Sequence, residues 1–145
     1  MSEIGSPPLS RALVVLVLDW RQAKAVLDAA RSTGQALTLV TPRAAAETYG
    51  AGYLGALQDR IDIEFPDIAF TLIVDCGDTS GYAMACLRAG VRAISMQGPP
   101  EVATKIADIA RQKGAAVVER PADPLDLAAA LAALLGSPPP RRKNA

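Results

Sequence analysis

Short apolar runs alternate with stretches of helical periodicity five times along this chain. The runs at residues 12–18, 36–40, 70–75, 93–96 and 115–119 are rich in Val, Leu and Ile and show almost no polar alternation. Such continuity belongs to strands covered on both faces, and so to a parallel sheet rather than an antiparallel one open to water. Each run is followed by apolar residues at helical spacing. Ala23, Val26, Leu27 and Ala30 form one stripe; Leu54, Leu57 and Ile61 a second; Ala83, Cys86, Leu87 and Gly90 a third. Val102, Ile106, Ile109 and Ala110 form a fourth, and Leu127, Leu131, Leu134 and Leu135 a fifth.

The punctuation agrees with this reading. Asp19 and Gln22 have capping-box spacing, Asp123-Pro124 has the form of an N-cap and N1 proline, and Pro100 can open the fourth helix. Gly34, Gly90 and Gly114 stand where helices close. The pattern predicts an α/β fold: a three-layer, doubly wound, five-stranded parallel sheet, with the flavodoxin-like order 2-1-3-4-5 favoured. A half-barrel of βα units, completing its sheet by dimerising, is the other option. The expected organisation is an N-terminal arm at residues 1–10, one domain at 11–136 and a Pro-rich basic tail at 137–145.

Composition narrows the chemistry. Among 145 residues there is no histidine, which removes Ser-His-Asp and Cys-His catalysis and the commonest metal ligand. Fifteen basic and fifteen acidic residues cancel, so the electrostatic footprint of a nucleic-acid binder is missing. The run at 12–18 is too short to cross a bilayer, and no membrane partner is expected. Two cysteines ten positions apart, Cys76 and Cys86, fit a reducing, cytoplasmic setting. Cys76 stands among carboxylates that raise its pKa, and Cys86 lies on an apolar stripe, so both read as packing residues. Lys24, Lys105 and Lys113 fall on helices and Lys143 in the tail, which disfavours Schiff-base chemistry built on a strand lysine.

In open parallel sheets ligands bind beyond the carboxyl ends of the strands, where strand order reverses. The expected order puts that crevice between the first and third strands. The ligand-binding candidates are therefore Asp19, Trp20, Asp75, Asp78 and Ser80, with Thr41 and Gln97 from neighbouring strand ends. Asp19 and Asp75 could hold a hard cation such as Mg²⁺, with Asp78 nearby. Capping competes for Asp19, and for Asp78, Thr79 or Ser80 at the third helix. Gly50, Gly52 and Gly55 have GxGxxG spacing, but a helical stretch separates them from their strand, so a backbone role is expected rather than nucleotide binding. Tyr49, Tyr53 and Trp20 could wall a ligand, form a subunit contact or simply pack.

Two resemblances follow from particular segments. Pro66-Asp67 leading into residues 72–75, and Glu119-Arg120-Pro121 after the fifth strand, resemble response-regulator receiver domains across the five βα units. The departures are a single acid, Asp19, after the first strand and Arg120 in place of the receiver lysine. This resemblance implies at most a docking module that is not phosphorylated. The segments at 50–57, Asp75-Cys76-Gly77-Asp78 and residues 87–90 are similar to small bacterial α/β proteins of uncharacterised function.

The leading expectation is a ligand-binding or protein-interaction domain without catalytic machinery. It is expected to form a homo-oligomer and to take a small anionic molecule. The alternatives are a Mg²⁺-dependent enzyme acting on a phosphorylated or carboxylated molecule through Asp75 with Asp19 or Asp78, and the receiver-like docking module.

Overall fold

The computed structural model describes residues 11–136; the arm and tail expected at 1–10 and 137–145 lie outside the described residues. The elements run β1 (Leu13–Leu16), α1 (Trp20–Arg31), β2 (Leu37–Val40), α2 (Ala45–Tyr49), α3 (Ala51–Glu64) and β3 (Phe70–Asp75). They continue with α4 (Ser80–Arg88), β4 (Ala93–Ser95), α5 (Pro100–Gln112), β5 (Ala116–Val117) and α6 (Leu127–Leu135). Five parallel strands form one sheet with six helices, which is the α/β fold the periodicity predicts.

The strand order is 1-2-3-4-5. This corrects the flavodoxin-like expectation of 2-1-3-4-5, and with it the reversal after the second strand. Receivers share the 2-1-3-4-5 order, so the present order also separates the chain from them in topology. It is the order of the half-barrel option. Local periodicity is identical for both orders, because pairing is a non-local event that each βα unit leaves undecided.

Right-handed crossovers without a reversal bring successive helices to one side of the sheet, and the packing follows. Val15, Leu39 and Leu72 stand in register, as do Val74 and Ile94, and these residues join one core cluster with buried side chains from every helix. The intervening residues Thr38, Val40, Ile73 and Ala93 are buried on the opposite face, outside that cluster. Thr38 and Thr71 are register partners there, and neither hydroxyl has a hydrogen-bond partner.

After β5 the chain returns to the far side of the sheet. Leu125 pairs with the free edge of β1: its N–H donates to Val14 O (2.9 Å) and its carbonyl accepts from Leu16 N (2.8 Å). Between Val118, still bonded to Ile94, and Leu125 there are seven residue steps, which reach at most about 25 Å when fully extended. Crossing five strand spacings on a flat sheet takes about 24 Å. Asp123 turns back with φ +51° inside the segment, so the chain is not fully extended and the sheet must curl to bring its edges together.

Several local expectations hold. The first two helical stripes are buried as predicted, Ala23, Val26, Leu27 and Ala30 on α1 and Leu54, Leu57 and Ile61 on α3. Pro100 is the first residue of α5. The GxGxxG segment opens α3, and Gly55 lies so close to α4 that an added Cβ would stand 2.8 Å from Ala89 O. Close approach, then, is what this glycine supplies. The expected cap at Asp123 is corrected: α6 starts at Leu127, with Asp126 as N-cap accepting from Ala129 N at 2.8 Å. Leu125 is committed to β1, so the helix cannot begin before it.

Candidate functional site

Asp75 ends β3 with its side chain on the face opposite the helices, 5% exposed. Its Oδ1 accepts from Ala44 N (2.6 Å) and Gly77 N (3.0 Å). Its Oδ2 accepts from Ser95 Oγ (2.9 Å) and faces Arg120 Nη1 at 3.4 Å. Three hydrogen bonds and the charge of Arg120 thus engage both carboxylate oxygens. The Asp75 N–H donates to Thr41 Oγ1 (2.9 Å), while Arg120 Nη1 donates to Thr41 O (2.7 Å). One side chain ties together the carboxyl ends of β2, β3 and β4 and the segment after β5.

The turns on either side are shaped for this. Ala44 takes φ +56° and Gly77 φ +64°, which aims both N–H groups at the same oxygen. The left-handed region costs a non-glycine residue about 1 kcal/mol or more, and the short bond to Asp75 offsets it at Ala44.

Beside this knot lies a cleft of about 230 Å³ lined by Arg43, Asp75, Ser95, Met96, Gln97, Glu119 and Arg120. A second hollow of about 460 Å³, lined by Leu16 and the returning residues Pro121 to Pro124, shares Arg43 and Arg120 with it. Arg43 and Glu119 are exposed and form no ion pair among the described residues. Arg120, by contrast, is largely enclosed and paired with Asp75.

Three sequence candidates come together here: Thr41, Asp75 and Gln97. The others stand elsewhere. Asp19 caps α1 by accepting from Gln22 N (3.0 Å), Gln22 Oε1 accepts in turn from Leu18 N (2.9 Å), and Asp19 lines a different hollow with Arg21 and Leu127. Trp20 packs between α1 and α3, its ring 6.2 Å from that of Phe65 and 4.0 Å below the Arg60 guanidinium. Asp78 is exposed and accepts from Thr79 Oγ1 (3.4 Å), and Ser80 is the exposed first residue of α4.

The crevice expected between the first and third strands does not form, because β2 lies between them. Asp19 and Asp75 are therefore not brought together, and the Asp75 carboxylate is engaged by three hydrogen bonds and the Arg120 cation. Among the described residues no group of three His, Cys, Asp or Glu side chains could hold a metal ion. The paired-carboxylate Mg²⁺ site expected from Asp19 and Asp75 does not form.

Sequence reasoning missed Arg43, Ser95, Met96 and Glu119 as cleft members, and met Arg120 only as a replacement for a lysine. The available signal was position: Ser95 ends β4, and Glu119 and Arg120 follow β5, all on the carboxyl side of the sheet. With the crevice placed at the first strand, those ends received little weight.

The cysteines lie in the main core. The neighbouring Cys86 thiol, then burial and the charge of Asp75, push the Cys76 thiol above the ordinary thiol range. It is not a poised nucleophile. No helix among the described residues is long and apolar enough to cross a membrane. No family model matches this chain, and neither does any curated protein.

Proposed function

We propose that this chain is a non-catalytic ligand-binding domain that takes a small carboxylated or phosphorylated molecule in the cleft between Arg43, Gln97, Glu119 and Arg120. The observation that carries this reading is Arg43, an exposed guanidinium without an ion pair among the described residues, beside a cleft floor held in place by Asp75. A guanidinium presents planar paired donors that match a carboxylate or phosphate. Arg120 adds further N–H groups that its Nη1 bonds leave available.

The absence of histidine, an Asp75 carboxylate held by three hydrogen bonds and Arg120, and the raised Cys76 thiol all weigh toward binding rather than turnover. Free thiols at Cys76 and Cys86 accord with a cytoplasmic location. Homo-oligomerisation is supported by α6, nine residues without a charge of which only Ala130 and Leu134 are buried.

The test is titration of the full chain with inorganic phosphate and with succinate, followed by protein NMR. Saturable shifts centred on Arg43, Gln97 and Arg120, weakened about ten-fold or more by Arg43→Ala, are expected. Absence of saturable binding by either anion class, or binding indifferent to Arg43, would overturn the reading.

A further inference from the structure

The charges around the cleft can be counted group by group. Arg120 is compensated inside the protein, since its Nη1 lies 3.4 Å from Asp75 Oδ2 and both side chains are largely enclosed. Two charged groups remain uncompensated: the cation Arg43 and the anion Glu119, both exposed and on the same cleft. A ligand with two negative charges would satisfy Arg43 but meet Glu119 as a like charge. A ligand carrying one charge of each sign would meet a complement to both. Gln97, whose side chain also reaches the cleft and makes no hydrogen bond among the described residues, can donate to a carboxylate and accept from an ammonium.

Size limits the choice further. At about 230 Å³ the cleft is smaller than the few hundred Å³ or more that drug-sized ligands occupy. A molecule of amino-acid size fits.

Resting on the reading of this cleft as a ligand site, we propose that its ligand is a zwitterion of the α-amino-acid class, with the carboxylate held by Arg43 and the ammonium by Glu119. Arg120 then serves as the fixed wall that orients the carboxylate through its remaining N–H groups, while Gln97 bridges the two ends. The selectivity is electrostatic: removing the ammonium leaves Glu119 facing an uncompensated anion, and removing the carboxylate leaves Arg43 unanswered.

The experiment is protein NMR on the full chain against the common α-amino acids, L-lactate, propionate and inorganic phosphate, repeated on Glu119→Gln and Arg43→Ala. Both positions are exposed, so the variants keep the fold, and a thermal unfolding scan checks this. One or more amino acids are expected to bind about ten-fold or more tightly than L-lactate or propionate, as loss of a charge-assisted bond implies. Glu119→Gln should erase that preference while retaining carboxylate binding, and Arg43→Ala should remove both. If lactate, propionate or phosphate binds as well as any amino acid and Glu119→Gln changes nothing, the zwitterion assignment fails while the anion reading stands. If nothing binds, both fall.

Discussion

Arg120 reaches back across the sheet to Thr41, a residue 79 positions earlier, donating through Nη1 to its carbonyl at 2.7 Å. The same nitrogen faces Asp75, so a single guanidinium fastens the end of β2 and the end of β3 to the chain returning from β5. Backbone curvature and cleft wall depend on the same contact.

Replacing Arg120 with Ala should therefore destabilise the fold by about 2–4 kcal/mol, because it leaves a buried carboxylate without its cation. Arg120→Lys should recover part of this, since lysine keeps the charge and loses the fork. Urea unfolding of both variants reads the difference. A cost near zero for Arg120→Ala would mean the pair does not hold the sheet ends.

Thr38 gives the opposite sign. Its hydroxyl is buried without a partner, opposite the equally unpartnered hydroxyl of Thr71. Valine has the same shape and no polar group, so Thr38→Val should be neutral or stabilising by about 1 kcal/mol. Thermal unfolding measures it. Marked destabilisation would place a bound water between the two hydroxyls.

Acid should weaken one contact early in the chain. Asp67 bonds Arg31 Nε (3.1 Å), and this bond holds its carboxyl below the ordinary value of 3.8. A depressed folded pKa means that the stabilisation is complete above the unfolded pKa and is lost as pH falls through the folded one. Carbon-detected NMR titration should give Asp67 a midpoint below that of a free aspartate, moving up toward the ordinary value in Arg31→Ala. An unchanged midpoint in that variant would assign the shift to another cause.

On α6, Leu135 is 61% exposed on a helix that carries no charge. If this surface joins two copies, Leu135→Glu should shift the chain to monomer in size-exclusion chromatography with light scattering. A wild-type monomer at all concentrations would remove the oligomer.

How legible these features were in the sequence depended on contrast and on distance. On α1 the buried stripe stood out because charged residues such as Lys24 and Asp28 mark the other face. On α6 every side chain is apolar, so periodicity had nothing to work against; the expected stripe included Leu135, which is exposed, and passed over Ala130, which is buried. Asp123 reads as a cap because Asp-Pro has cap chemistry, yet the β1 bridge at Leu125 decides the start of the helix. Asp75 was readable as an acid ending a buried strand. Its partners Ala44, Ser95 and Arg120 were not, since they lie 20 to 45 positions away and only strand order brings them together.

The pairing of Leu125 with β1 also has a consequence for encounters between molecules. An exposed strand edge is a template on which other chains can pair and polymerise. Here the chain's own return takes part of one such edge, and at the other margin β5 offers only Ala116 and Val117. Both margins of the sheet are therefore short or partly occupied among the described residues. Strand-by-strand addition finds little free edge there, and the sheet is poorly suited to seeding a fibre.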